Sequence, residues 1–408
     1  MKTSRIALGT MLITSLHLVA CAQTKYDPMV LPKGREYFEL RDGLSNSQQK
    51  FPETQFEFIG ACEVAMTPAD INRMGFFYPD MQLCPIPGRG NPPGLVHWLH
   101  GVGTGSGIGN MPTQVFEGSM EQPAGRLIFI KSQPEFFANP NGADGTKWLM
   151  GICRHSPQLL IGVCHVESCV SAITPGQAHC RIGIAKSVNG GDSWSYLGHV
   201  VCTDGDIDNW NIGGGPFAIK DGYFYIFYNR TGDQSAAVAR TGFKELIAAA
   251  ESDSLSAWEK YRDGQWHPTS AGDPAPTSSL NLPNIGNHNQ MKFCPLDNNF
   301  YCAALGEYST KTVRLYRSAD LIHWTDLGAL ASGFEHLFYA SMLDATGVAD
   351  GTVGASFHVY FSAEMPESPP GDSGPGAWGK ANRRGYYRVR IELKENESGK
   401  LKKEEEIE

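Results

Sequence analysis

The sequence predicts an all-β chain folded as a five-bladed β-propeller of mostly antiparallel four-stranded blades, and three observations carry that prediction. The 408 residues include 46 Gly and 25 Pro beside 41% hydrophobic residues, which suits a large core cut by many turns. A repeat runs through the middle of the chain. "IGIAKSVNGGDSWSYLGHV" (182–200) and "VRLYRSADLIHWTDLGAL" (313–330) share a strand, a basic residue followed by Ser, a turn, a Trp and then Leu-Gly. Finally, the alternating stretch "GYYRVRIEL" (385–393) is placed to close a ring by joining the first blade, which removes exposed sheet edges.

Taken in order, Lys2 and Arg5 precede an apolar run from Ile6 to Leu18, the layout of a secretory signal and too short for a mature membrane span. The run ends Leu18-Val19-Ala20-Cys21, which resembles the bacterial lipobox. Residues 1–21 are therefore expected to be a signal peptide with Cys21 as the lipidated residue; ordinary cleavage near Cys21-Ala22 is the other reading. Residues 22–50 are polar and read as a tether. Residues 51–394 form the propeller, and 395–408 are a charged solvated tail.

Within the propeller, one blade is assigned to residues 52–130. The three anchored blades follow, with Ser187, Thr241 and Ser318 as anchors and Trp194, Trp258 and Trp324 expected to pack between blades. The Thr241 copy replaces the turn by a short helix around Lys244–Ala250. Apolar strands precede each anchor: "LLIGVCHVES" (159–168), "YFYIFYN" (223–229) and "NNFYCAALGEY" (298–308). A last blade spans about 335–393, with strands in "LFYASMLDA" and "SFHVYFSAE". The hairpin "GGGPFAIKDGYFYIFYNRTG" (213–232) turns at Asp221-Gly222, a pair suited to a type I′ turn because both central residues need positive φ.

The net charge of −9 and a pI near 5.8 offer no basic stripe, which excludes nucleic acid as the expected partner. Export permits disulfides. Cys294 with Cys302, flanking Asp297-Asn298-Asn299, and Cys169 with Cys180 are the candidate pairs; a mostly reduced, buried set is the alternative. No Cys/His spacing suggests zinc. Asn229-Arg-Thr231 and Asn396-Glu-Ser398 are formal glycosylation sequons without meaning in a bacterial lipoprotein.

Two resemblances extend the reading. Ser187-Val-Asn189-Gly-Gly191-Asp-Ser193-Trp194 resembles the Asp box of sialidases and other propellers, with Asn for Asp and Ser for Thr. It marks a blade turn; a sialidase would also need an Arg trio and, usually, six blades, and neither can be assembled here. Over about 150–393, "YRSADLIHWTDLG" and "GGPFAIKDGYFYIFYN" resemble the turn and the E-G-P hairpin of five-bladed-propeller glycoside hydrolases of the family 43 type. That resemblance implies glycosidase chemistry. The residue before its Gly-Pro is typically the general-acid Glu, and Gly214 stands at that position here. The Asp-Pro start of a first blade that would carry the family's base is likewise absent from "IGACEVAMTPADINRMGFFYPD".

Cleaving a glycosidic bond needs one protonated and one ionised carboxylate. On the strand "LLIGVCHVESC", alternation puts Ile161, Val163, His165 and Glu167 on one face, the two polar residues at its end. Glu167 is the candidate acid and His165 a group to position the sugar or tune that acid. The base is sought among Asp204, Asp206 and Asp208, with Asp206 central, or in Glu63; Asp70 has similar standing. Turn-forming Asp is the commoner role in such a loop. The glycines ahead of Pro216 then read as room for close approach of a sugar. Arg154 and His155, Trp210 and Asn211, His288 with Asn289 and Gln290, and Glu335-His336 are candidate sugar contacts, through ring stacking and directional hydrogen bonds. His288 leads this group because five-bladed glycosidases often carry a central His.

The expected protein is thus an exported, lipid-anchored glycoside hydrolase acting on a poly- or oligosaccharide at the periplasm or cell surface. It touches the membrane only through its anchor, requires no cofactor, and has room for a structural calcium ion. The alternative is a propeller that binds glycan or protein without catalysis.

Overall fold

In the computed structural model, residues 54–73, 82–91, 95–101, 113–138, 146–169, 178–202, 212, 214–229, 235–269, 280, 282, 290–305, 312–334, 337–347, 351–364 and 384–395 are described. The proposed signal, tether and tail lie outside them, apart from Glu395. β1 (Thr54–Met66) leads through α1 (Pro68–Arg73) to a first sheet of β2 (Cys84–Asn91), β3 (Leu95–Gly101), β4 (Thr113–Gly118) and β5 (Arg126–Lys131). After α2 (Gln133–Phe136), the two-residue β6 (Phe137–Ala138) joins in parallel the outer edge of a second sheet. That sheet contains β7 (Thr146–Arg154), β8 (Leu160–Cys169), β9 (Ala178–Ser187) and β10 (Trp194–Val201).

The third sheet holds β11 (Gly214–Lys220), β12 (Tyr223–Asn229), β13 (Ala236–Gly242), β14 (Trp258–Arg262) and β15 (Gln265–Thr269), with α3 (Phe243–Glu251) between β13 and β14. A fourth contains β16 (Gln290–Cys294), β17 (Asn299–Leu305), β18 (Thr312–Ser318) and β19 (Thr325–Ser332). The last comprises β20 (Phe338–Asp344), β21 (Ser356–Glu364) and β22 (Arg384–Glu395), and β1 pairs with the free edge of β22. Two sheets are therefore five-stranded. No helix among the described residues is long and apolar enough to cross a membrane.

The sheets stand in sequence around a ring, because each interface between neighbours has its own core. One cluster joins the first sheet to the second around Phe136, Trp148 and Trp194, and another joins the second to the third around Val163, Phe217 and Trp258. Tyr225 and Phe300 centre the next, and Tyr301 and Phe357 the one after. The fifth, with Met66, Leu83, Phe116, Tyr360 and Tyr386, returns the last sheet to the first. This is the packing of an antiparallel β-propeller. The repeat Trps behave as expected: Trp194 and Trp258 are buried between sheets, and Trp324 packs against the core between the third and fourth. Losing either buried ring costs about 3–5 kcal/mol.

The anchors explain the turns they start. Ser187 Oγ donates to Asn189 Oδ1 and accepts from the Gly191 amide, while Asn189 bonds Ser193, so Asn performs the Asp-box task here. Ser318 Oγ likewise meets Asp320 and the Leu321 amide, and Thr241 Oγ1 donates to Ala257 O. The Asp221-Gly222 turn has φ of 50° and 76°, as a type I′ turn requires.

Two expectations are corrected. Ring closure runs the other way: the final strand stays in the last sheet, and the first strand, β1, crosses to it. Tyr360 and Arg388 of the last sheet also both donate to Met120 O of the first. The candidate disulfide at 294–302 is not formed: these two are free thiols whose side chains enter different cores, Cys294 toward the last sheet and Cys302 toward the third. Cys180 is buried in the core between the second and third sheets. Burial pushes the Cys84 and Cys294 thiols up to about 12, as expected of inert core cysteines.

Candidate functional site

Counted from the inside of the ring, the first strands are β2, β7, β11, β16 and β20. β2 packs on β7, β7 on β11, β11 on β16 and β16 on β20, and Gln82, just ahead of β2, donates through Nε2 to Ala340 O of β20 at 2.7 Å. All five run the same way, so their starts share one rim of the ring. The second strands run back and end at that rim: Glu167 of β8 lies opposite Thr146, Tyr228 of β12 opposite Gly214, and Ser362 of β21 opposite Phe338. We call this rim the head.

The backbone at the head takes conformations that glycine suits. Gly214 and Gly215 have φ of +96° and +124°, and the β11–β12 register slips between Gly214 and Phe217. A Cβ on Gly215 would lie 3.1 Å from Met150 Cβ and Val163 Cγ1. The glycines are thus demanded by backbone conformation and by packing on the second sheet, which answers why no side chain stands there. A Glu at Gly214 would have to adopt a φ that L residues rarely hold. A small depression opens beside them, lined by Gly214, Pro216, Phe227, Tyr228, Asn229, Ala236 and Met291. Across the ring, Tyr339 at the start of β20 has φ of +56°, an outlier for a bulky residue and of a kind that clusters at functional sites.

Polar and charged side chains are buried at the same rim. His165, Thr146, Lys147, Asn229, Gln290 and Lys292 are all buried. Gln133 clamps the Lys147 backbone, its Oε1 accepting from the amide at 2.9 Å and its Nε2 donating to the carbonyl at 3.1 Å. At the last sheet, Glu364 ends β21 directly opposite Arg384, which starts β22. They are 9% and 2% exposed. Arg384 lays its guanidinium 4.1 Å over the Phe338 ring, and Lys292 holds its ammonium 4.3 Å over Phe217.

Of the sequence candidates, Glu167 and His165 lie on β8, Glu167 opposite Thr146 in the register. Asp204, Asp206, Asp208, Trp210, Asn211, His288 and the pair 335–336 fall outside the described residues. Three others lie elsewhere. Glu63 is on the outermost strand of the last sheet, about 14 Å from β20 at the usual strand spacing. There it is exposed and ion-paired to Arg388, Oε2 to Nη2 at 2.6 Å. Asp70 caps α1, accepting from the Thr67 amide and hydroxyl at 3.0 and 2.7 Å. Arg154 lies at the far end of β7, opposite Leu160, roughly 25 Å from Thr146 at 3.3 Å per residue. It bonds Ser156 O there, and neighbouring His155 is exposed with its ring against Phe243. Strand direction explains the error: an Arg at the end of an inner strand and a Glu at the end of the second strand occupy opposite rims.

Glu364 and Arg384 were not singled out in the sequence. The usable signal was the ending "FSAE", a carboxylate closing an apolar second strand just as Glu167 closes "GVCHVE". Among the described residues, no three or more of His, Cys, Asp and Glu gather to hold a metal ion.

No protein-family model matches the chain, and no curated protein matches its sequence. Solved structures with a similar chain course include a putative hydrolase from Bacteroides ovatus, at 12% identity and a TM-score of 0.47, covering 80% of this chain and 89% of that one. The catalytic domain of the Coprinopsis cinerea GH62 alpha-L-arabinofuranosidase is similar at 11% identity and a TM-score of 0.46, covering 83% and 97%. A family 117 glycoside hydrolase from Zobellia galactanivorans is similar at 10% identity and 0.44, covering 83% and 90%.

Proposed function

We propose that this chain is a five-bladed propeller, one blade per sheet, and a glycoside hydrolase-like protein that binds a poly- or oligosaccharide over the head. The observation that supports this best is the repeated placement of a polar residue at or near the end of a second strand, Glu167, Asn229 and Glu364. Glu167 serves as the acid that protonates the leaving oxygen, and a carboxylate of the 204–208 segment, Asp206 foremost, activates water or attacks the anomeric carbon. His165 positions the sugar or the acid. Trp210, Asn211 and His288 contribute stacking and hydrogen bonds to the sugar. The protein is exported and held at the membrane through Cys21, and a structural calcium ion is compatible with this reading.

A second reading, a propeller that binds glycan without cleaving it, is favoured by Gly214. The position that carries the acid in the resembling family is held here by a residue whose backbone geometry suits glycine. A panel of plant, algal and bacterial polysaccharides, assayed for reducing-end release with wild type and Glu167→Gln, separates the two. Release lost in the variant supports the hydrolase; binding retained by both proteins with no release supports the second reading and removes the first.

A further inference from the structure

The depression beside Gly214 lies where β11, β13 and β16 start and β12 ends. What its lining lacks makes it. Gly214 has no side chain, Ala236 contributes only a methyl, and Pro216 offers no N–H to the β11–β12 ladder, whose register slips between Gly214 and Phe217. A Cβ built on Gly214 would lie 3.3 Å from Pro216 Cδ, 3.4 Å from Phe227 O and 3.7 Å from Tyr228 Cα. All three belong to residues of the lining, so a side chain at position 214 would take up the space that the glycine leaves open. Phe227 and Met291, both buried, wall the depression from the second strand of the third sheet and the inner strand of the fourth. The surface it presents is almost wholly carbon, and it has room for one methyl-sized group but not for a sugar ring. A void of this kind costs stability while it stays unfilled.

We propose that this depression is the subsite for the C6 methyl group of a 6-deoxyhexose within a saccharide bound over the head. This rests on the proposal that a saccharide binds at the head, and it names the class of that saccharide. Size and lining select the group. A C6 methyl buries its surface against Pro216, Phe227, Ala236 and Met291 and brings no polar atom with it. The hydroxymethyl group of the parent hexose carries a hydroxyl into a carbon lining, and a hydroxyl buried without a hydrogen bond is penalised. An acetyl group exceeds the room and adds a carbonyl oxygen that needs a donor.

The test is titration of the full-length protein, followed by ligand-observed NMR, with two matched pairs of probes that differ only by a hydroxyl on C6. These are methyl α-L-fucoside against methyl α-L-galactoside, and methyl α-L-rhamnoside against methyl α-L-mannoside. In at least one pair the 6-deoxy member should bind about tenfold tighter or more, with the strongest saturation transfer at its C6 methyl protons. Gly214→Ala, which fills the depression, should remove that preference, and Met291→Ala, which widens it, should bring the two members within about threefold of each other. Near-UV circular dichroism checks that both variants fold, and the wild-type comparison stands whether or not they do. A folded Gly214→Ala that keeps the full preference overturns the assignment to this depression. Equal or tighter binding of the hydroxylated members overturns the inference and leaves the saccharide reading standing. Binding of none of the four probes also overturns it, and the polysaccharide panel then decides the saccharide reading on its own.

Discussion

Replacing Gly215 by Ala isolates what the glycine-rich head of β11 does. The residue sits at φ +124°, and its added Cβ would meet Met150 Cβ and Val163 Cγ1, both at 3.1 Å. Backbone strain of this kind costs about 1–3 kcal/mol, and forcing a methyl into a packed core adds about 1–3 kcal/mol. The sum is roughly 2–6 kcal/mol. Gly222→Ala is the internal control: its φ is +76°, with nothing within 4 Å of the new methyl. That change should cost only about 1–2 kcal/mol of left-handed strain. Urea unfolding of both variants beside wild type, compared at unchanged m-value, reads the difference. An equal loss in the two would mean that β11 does not press on the second sheet, and the explanation given for the missing side chain would fail.

Other outcomes follow from the same geometry. Glu63→Gln should leave any saccharide binding or turnover unchanged and cost no more than about 1 kcal/mol, since its ion pair with Arg388 is exposed on the outer strand; lost turnover would return Glu63 to the site. Thr67→Ala should destabilise by about 1 kcal/mol through loss of the cap that Asp70 completes, visible in denaturant midpoints. Burial first, and then Arg388 and Arg390, hold the His358 imidazole down to about 4. Between that value and the ordinary value of about 6.5, the unfolded chain binds the proton and the folded chain does not. Stability should therefore fall as pH drops from 6.5 toward 4, and His358→Gln should flatten that slope; an unchanged slope would refute the assignment.

Much of the fold was legible because its determinants are local. Ser187, Thr241 and Ser318 each organise a turn through bonds to residues close in sequence, and Trp194, Trp258 and Trp324 follow at recognisable spacing. Asp221-Gly222 set its hairpin by φ alone. Ring closure was misjudged because it joins residues more than 300 positions apart, Glu63 with Arg388 among them, and either terminal strand can supply the outer edge. The site was harder to read. Which rim a strand end reaches depends on strand order within the sheet, so Arg154 reads as a sugar contact in the sequence while lying at the other end of the hairpin from Glu167. Glu364 resembled any strand-ending Glu until the register put it opposite a buried Arg.

Hydrogen–deuterium exchange of the full-length protein, with and without a saturating oligosaccharide from the polymer that binds best, tests the central claim most directly. Protection should appear at the head, in peptides covering 146–150, 290–293, 360–364 and 384–387. Protection confined to the opposite rim, at the turns of residues 188–193, 221–222 and 319–324, would contradict the account.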